Sequence, residues 1–566
     1  MRERSTIGAD SIRTLAFNIA QSGFAVLTGI AVAKALGPAG KGEYALLQLL
    51  QAAAAAVTGN LGMAITYEVA RRQKPLFELV RPLGLLLAAL SILEWGAVGV
   101  WVWLHGADPA PLLFAVAAPS LIVLSWQGPI FLGLGWIRSL NVQGLYFAAG
   151  TFVTAVATLY VFHWGTVGAM WGWVVCVWAI AISILVRTRG EARGVPTEPT
   201  GAIVRDLLGF GLRASAGGIF GFINNKIDSI AILAWLGTSG FGIYTVAVSA
   251  GELLFKVSRS VAQAATLRVA ASERAIAART VAKSNRASFA IILAASAVAF
   301  VAAPWAVDLL YGVKFHRAGD AIRILLPGIA AVSSSGILST FFSYQMGRPI
   351  FLLYMSIMNA VVETTLCFVL VPRYQIDGAA LACTLTYLNS AVVMTWYFCK
   401  NSDLSPADLW IPTFADLRSV ARALRPHKRS IGGGPTRGVT EADANPSQDF
   451  VICGWTSSSG GESGLGALLL GVFDRGTLIY AGLADTGNDE RSLAELRAAV
   501  APLEATRCPF RIVPFINAPI HWVQPALVAA VTFEEWTSDG ALRQPVFLGL
   551  RTEKRPEACI RTQSSD

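Results

Sequence analysis

The stretch Leu36-Gly37-Pro38-Ala39-Gly40-Lys41-Gly42-Glu43-Tyr44 returns 200 residues later as Leu236-Gly237-Thr238-Ser239-Gly240-Phe241-Gly242-Ile243-Tyr244. Each copy closes one long apolar segment and opens another. The register runs upstream without a gap: Arg13 meets Arg213, Ala16 meets Ala216, Ile19 meets Ile219, and Ile30-Ala31 meets Ile230-Ala231. A duplication of long apolar segments restricts the fold to two similar helical lobes in a membrane. That architecture places a transport site between the lobes.

The chain is 54% hydrophobic and 14% charged, with a mean hydropathy of +0.54. A soluble globular chain carries about 25% charge. The average hides a split. Residues 441–566 hold 16 acidic against 10 basic residues, a net of −6, which leaves +15 of the overall +9 for residues 1–440. The positive excess therefore belongs to the apolar part, where it sets topology rather than binding nucleic acid.

A helical span needs roughly 20 mostly apolar residues. Twelve are expected, near 11–35, 43–65, 80–104, 110–134, 140–163, 166–187, 208–236, 240–263, 287–312, 322–345, 350–371 and 377–399. Arg and Lys collect at the N-terminus (Arg2, Arg4) and in alternate loops: Arg71, Arg72, Lys74, Arg81; then Arg187, Arg189, Arg193, Arg205; then Arg268, Arg274, Arg279, Lys283, Arg286. The positive-inside rule puts both termini in the cytoplasm of a multi-pass inner-membrane protein. No cleavable signal peptide is evident. The seven cysteines are scattered, with neither a disulfide framework nor metal-ligand spacing.

Charged side chains inside spans are costly and face a polar cavity or one another. Here they cluster: Arg13 and Lys34 in the first span; Arg213, Lys226 and Asp228 in the seventh; Glu252, Lys256 and Arg259 in the eighth; Glu363 in the eleventh. A cavity with several cations suits an anionic head group such as a diphosphate, since Arg grips phosphate oxygens through two donors and Lys acts as a point charge. The candidate substrate-binding cations are Arg13, Lys34, Arg213, Lys226 and Lys256. Asp228, Glu252 and Glu363 are the candidates for ion coupling. Other readings stand beside these. Arg13 and Arg259 can snorkel to the cytoplasmic face. Glu252 and Lys256, at i and i+4, can form a structural pair. Lys226 and Asp228 are two apart and do not share a helix face, so they need partners on other helices. No catalytic residue, metal or cofactor is expected.

A span, then Leu-Gly-x-x-Gly-x-Gly-x-Tyr, then another span resembles the polysaccharide (O-antigen type) flippases of the MATE-like superfamily. Asn225-Lys226-Ile227-Asp228 ahead of the second copy is similar to the start of that family's second lobe. Pro372-x5-Gly378-Ala379-Ala380 resembles its link into a late helix. The similarity runs over about residues 8–400. It implies two six-helix lobes, 1–200 and 201–400, that alternate access and export lipid-diphosphate-linked oligosaccharide across the inner membrane. The implied partners are that substrate, membrane lipids and polysaccharide polymerase machinery.

Residues 401–447 form a junction. Ser405-Pro406-Ala407-Asp408 is a helix start. Asp416 to Leu424 has helical periodicity with Arg418, Arg422 and Arg425, as in a helix lying on the inner leaflet. Ile431-Gly432-Gly433-Gly434-Pro435 reads as a flexible linker. Residues 448–566 then change class. Strands are expected at 449–452, 467–473, 477–482 and 527–537, with a helix over 489–502. Strands interrupted by one helix suit a small β-barrel of the OB type.

This segment resembles the C-terminal OB domain of bacterial ATP-dependent DNA ligases used in end joining, over about residues 448–562. The matching stretches include Asp449-Phe450-Val451-Ile452-x-Gly454, Gly466-Ala467-Leu468-Leu469-Leu470-Gly471, His521-Trp522-Val523-x-Pro525, Glu535-Trp536-Thr537-x-Asp539-Gly540 and Phe547-Leu548-Gly549-Leu550-Arg551-x-Glu553-Lys554. The resemblance makes Arg551 and Lys554 the residues that face the nucleotide during adenylation. Gln544 stands where the family usually has His, and Gln524 where it usually has a basic residue. A ligase also needs a Lys-x-Asp-Gly nucleophile whose amine attacks the α-phosphate. None of the ten lysines begins that motif; the nearest, Lys226-Ile227-Asp228-Ser229, lies in an expected span. The chain alone should therefore not ligate DNA.

The alternative to transport is a ligase-related or nucleic-acid-binding module tethered at a membrane, with Trp455, Phe510, Trp522 and Trp536 stacking bases. Core packing is the competing role for those rings, and the tail's net −6 opposes phosphate binding. The abrupt change of class near 430, across a Gly-rich seam, is also the pattern left when two reading frames are joined.

Overall fold

The computed structural model describes residues 7–412 and 447–560, apart from positions 60, 73, 195–197, 272–273, 334 and 349 in the first stretch and 458–464, 475, 486–489, 506, 511–519, 534–535, 537–541, 543–544 and 552 in the second. The expected surface helix over 416–424 and the linker at 431–435 lie outside the described residues. The chain divides into two compact units: Ser5–His427, and one that includes Lys428–Asp566.

The first unit is all helix: α1 (Ile7–Thr58), α2 (Leu61–Thr66, ending in a π-turn to Arg71), α3 (Leu76–His105), α4 (Pro109–Gly133), α5 (Ile137–Val156), α6 (Gly165–Thr188), α7 (Thr200–Ala271), α8 (Arg274–Tyr311), α9 (His316–Val332), α10 (Ser335–Thr340), α11 (Ile350–Lys400) and α12 (Pro406–Trp410). Among the described residues nine helices are long and apolar enough to cross a membrane. Three of them are two helices meeting at a kink: α1 at Gly37, α7 at Gly237 and α11 at Gln375. These kinks fall between expected spans one and two, seven and eight, and eleven and twelve.

The repeated glycines explain the first two kinks. Gly37 and Gly237 have φ of +69° and +64°, a conformation that side chains resist and glycine adopts freely. Five residues on, the two copies of the motif meet. A Cβ on Gly42 would lie 1.7 Å from the Thr238 carbonyl oxygen, and one on Gly242 would lie 2.0 Å from the Pro38 carbonyl oxygen. The contact is reciprocal, so the sequence duplication is a pseudo-twofold relation between the halves. Gly378 serves the third kink, where a Cβ would meet the Leu370 carbonyl oxygen at 2.3 Å.

Buried clusters centre on each half and reach across to the other, with Ala33, Ala45 and Leu49 joining the second-half cluster and Ile203 and Leu207 joining one of the first. In the first half, Tyr44, Leu47, Phe114 and Trp173 pack in one cluster and Leu79, Ile122 and Phe131 in another. In the second, Ile232, Tyr244, Phe315, Leu325 and Ala379 pack together. Large apolar side chains also cover the outside: Trp103, Val301 and Trp305 are 83%, 75% and 71% exposed. Such faces promote association in water and are at home in lipid. The expected helix start at Ser405 is present as a capping box. Ser405 Oγ accepts from the Asp408 amide while the Asp408 carboxylate accepts from the Ser405 amide.

The second unit holds β1 (Ser447–Ser457), β2 (Leu465–Asp474), β3 (Thr477–Asp485), helix α13 (Glu490–Val500), β4 (Glu504–Ala505), β5 (Ile520–Thr532) and β6 (Val546–Leu550). The order is β1-β2-β3-β6-β5-β4, and β1 also pairs with β5. That extra pairing closes β1-β2-β3-β6-β5 into a ring, and the two-residue β4 is added on β5. All pairings are antiparallel except β3–β6. Phe450, Leu470, Val472, Ala481, Val523 and Val531 fill the barrel and α13 covers it with Leu496 and Val500. The strand expected at 527–537 begins seven residues earlier, at Ile520.

Candidate ion and substrate site

Four buried polar residues meet in the second lobe. Asp228 lies before the kink of α7 and Tyr244 after it; Glu363 and Cys383 flank the kink of α11. Their exposures are 5% (Asp228), 0% (Tyr244), 2% (Glu363) and 2% (Cys383). Asp228 Oδ1 accepts from the Ser229 amide at 2.6 Å, and Oδ2 accepts from the Tyr244 hydroxyl at 2.7 Å. The Cys383 thiol lies 3.3 Å from Asp228 Oδ2 and 3.0 Å from Glu363 Oε1. Glu363 Oε2 is buried with no hydrogen-bond partner among the described residues.

Ligand atoms of Asp228, Glu363 and Cys383 all lie within 4.8 Å of one another. Two carboxylates this close, in an apolar interior, cannot both stay charged unaided. Three donors face them (one amide, one phenol, one thiol), and none carries positive charge. The pair therefore has the chemistry to hold a shared proton or a hard cation, for which carboxylate oxygens are fitting ligands. Sequence reasoning saw no metal-ligand spacing because residues 228, 363 and 383 are brought together only by the fold. It named Asp228 and Glu363 but missed Tyr244 and Cys383. Tyr244 had a signal, as the last residue of the duplicated motif.

The duplication supplies an internal comparison. With the 200-residue offset, Tyr44 corresponds to Tyr244 and Thr28 to Asp228. The first lobe also has a buried cysteine, Cys176, whose sulfur lies 3.6 Å from Thr154 Oγ1. A threonine thus faces Cys176 where carboxylates face Cys383. At the equivalent positions 28 and 228 the carboxylate belongs to the second lobe.

The expected cavity cations are distributed differently. Lys226 pairs with Glu252 at 3.3 Å, across the kink of α7. Lys256, one turn beyond Glu252, donates to Ser22 Oγ of α1 at 2.7 Å. These residues make one polar patch between the halves. Lys34 is exposed. The side chains of Arg13 and Arg213 lie outside the described residues. The first lobe adds an amide network absent from the sequence reading. Gln127 donates to Gln143, Gln143 donates to Ser183 Oγ at 3.0 Å, and Asn141 donates to Thr14 Oγ1 at 2.7 Å.

In the barrel, Asp449 of β1 takes both ligase-like cations. Lys554 Nζ lies 2.9 Å from its Oδ2, and Arg551 Nε lies 3.7 Å from its Oδ1. The hydrogen bond to Asp449 raises the Lys554 pKa above its ordinary value. Trp455 stacks on His521 with ring centroids 4.0 Å apart, and Phe510 is buried. Gln544 lies outside the described residues.

Residues 138–320 match the family model described as "Polysaccharide biosynthesis protein". A solved structure titled as an inward-facing multidrug resistance MATE family transporter of the MOP superfamily aligns with a TM-score of 0.54 at 17% identity, covering 69% of this chain and 98% of that one. A MOP superfamily transporter from Pyrococcus furiosus aligns with a TM-score of 0.50 at 17% identity, covering 69% of this chain and 94% of its own. The helical unit shares the fold of these two solved structures. Residues 461–554 match the model described as "ATP dependent DNA ligase C terminal region". The multifunctional non-homologous end joining DNA repair protein LigD of Mycobacterium tuberculosis is 44% identical over 117 residues, which is 20% of this chain and 15% of that protein. The Pseudomonas aeruginosa LigD is 36% identical over 112 residues, 19% of this chain and 13% of its own length. The chain thus spans about 15% of the length of these curated relatives, and the likeness is confined to the barrel. Both family resemblances read from the sequence hold.

Proposed function

We propose that this chain carries lipid-diphosphate-linked oligosaccharide across a bacterial inner membrane by alternating access, with both termini in the cytoplasm and twelve crossings in two lobes. The observation that carries this reading is a MOP-type fold whose middle matches a polysaccharide-biosynthesis family. The Lys226–Glu252–Lys256 patch suits the diphosphate, and the amides of the first lobe suit sugar hydroxyls. Asp228 and Glu363 couple transport to a proton or sodium gradient, because emptying or filling that pair changes a buried charge that the surrounding helices must accommodate. The test is flipping of a fluorescent lipid-diphosphate-linked sugar by the full chain in proteoliposomes. Movement in imposed ion gradients is expected, and none with any such lipid would overturn the reading.

A second reading concerns the barrel alone: binding of nucleic acid or nucleotide by a ligase-type OB domain. Its support is the 44% identity to LigD. Against it stand the missing Lys-x-Asp-Gly, the tail's net −6, and the occupation of Arg551 and Lys554 by Asp449. The transport reading is therefore preferred for the chain as a whole.

A further inference from the structure

Glu94 lies in α3 within an apolar run, where a lone carboxylate is expensive. Both of its carboxylate oxygens are buried without a hydrogen-bond partner among the described residues. They are not packed against hydrocarbon alone. Glu94 lines a cavity of about 220 Å³ together with Gln51 and Thr58 of α1 and Ser125 of α4.

The polar lining is rich in acceptors. Thr58 donates its hydroxyl hydrogen to the Ala54 carbonyl at 3.0 Å, and Ser125 donates to the Ile122 carbonyl at 2.7 Å. Each oxygen is left with lone pairs and no hydrogen to offer a carboxylate. Only the Gln51 amide can donate, and its carbonyl is another hard acceptor. Among the described residues Glu94 is the only titratable one in the lining, so the site can carry at most a single negative charge. A monovalent ion balances that charge, whereas a divalent ion would leave a net positive charge in the membrane. Oxygen ligands favour a hard ion.

We propose that the first lobe holds a sodium site of its own, with the Glu94 carboxylate as the charged ligand and Gln51, Thr58 and Ser125 as neutral ones. The site shares no residue with the Asp228–Glu363 pair, and its occupancy does not depend on what the chain transports.

The experiment uses the full chain in nanodiscs. Dicyclohexylcarbodiimide modifies carboxyl groups in apolar surroundings, and mass spectrometry of the peptide containing Glu94 reads its modification. Sodium chloride is expected to slow labelling of Glu94 severalfold, with potassium and choline chloride at equal ionic strength having no such effect. Labelling of Glu94 that follows pH but not sodium would show a simple protonated acid and overturn the proposal. Binding of radioactive sodium gives the second arm. Glu94→Gln removes one sodium per chain, whether or not Glu363→Gln removes another. Binding by Glu94→Gln equal to that of the parent protein would also overturn it. The labelling arm needs no substitution, so a misfolded variant leaves the proposal testable.

Discussion

The Tyr244 hydroxyl donates to Asp228 Oδ2 across 2.7 Å, joining the two sides of the kink in α7 inside a fully buried site. The duplicated partner of Tyr244 is Tyr44, and the partner of Asp228 is Thr28. The position equivalent to Asp228 is thus charged in the second lobe and neutral in the first. A buried carboxylate must gain or lose a counter-charge as its surroundings change.

Tyr244→Phe removes a donor from a buried carboxylate. Hydrogen bonds to charged groups contribute about 1.5–3 kcal/mol, so the variant should unfold at lower temperature by a corresponding margin. Tyr44→Phe has no carboxylate twin to desert and should cost less than about 1 kcal/mol. Thermal unfolding of both variants in one detergent tests the asymmetry, and equal losses would contradict it.

Glu363→Gln keeps the shape of the site and removes its second charge. Coupling free energies between sites are typically about 1–3 kcal/mol, or roughly 5- to 150-fold in affinity. Stimulation of transport by an ion gradient should fall by a factor in that range, while substrate binding measured without a gradient stays within about twofold. Unchanged gradient dependence would remove Glu363 from coupling.

Gly242→Ala sets a methyl group 2.0 Å from the Pro38 carbonyl oxygen, and Gly42→Ala sets one 1.7 Å from that of Thr238. Backbone must retreat in both cases, and overpacking of this kind costs about 1–3 kcal/mol or more. Either variant should lower the yield of monodisperse protein and its unfolding temperature. A methyl group on Gly23 of α1 would meet nothing within 4 Å, so Gly23→Ala should be neutral or stabilise slightly through helix propensity.

Much of this was legible along the chain, for reasons that differ by residue. The kinks at Gly37 and Gly237 were written in the motif itself, since a repeated glycine pattern between apolar segments marks a turn and a close approach. The kink at Gln375 had a weaker signal in Pro372 and Gly378. Asp228 and Glu363 stood out because charge inside a span is rare. Cys383 did not, because cysteine in a membrane helix passes as a small apolar residue. Glu94 was hidden for the opposite reason: a single acid in the apolar middle of a thirty-residue helix reads as tolerated until the cavity facing it is seen. In the tail, β4 is two residues long and carries no pattern, whereas β1 to β3 alternate or run apolar and were plain.

The last prediction concerns the barrel. Asp449 holds Lys554 at 2.9 Å and Arg551 at 3.7 Å, using the two cations that the ligase resemblance assigns to nucleotide. Asp449→Asn keeps the size of the side chain and the backbone pairing of β1, and it releases both charges. The substituted full chain should bind duplex DNA more tightly than the parent at low salt. Each freed cation that meets a phosphate steepens the dependence of log affinity on log salt by about 0.9, so the slope should change by up to about 1.8. Fluorescence anisotropy across a salt series measures this. An unchanged slope would mean that Arg551 and Lys554 serve the barrel's own stability, and the tail would then contribute no phosphate-binding surface through them.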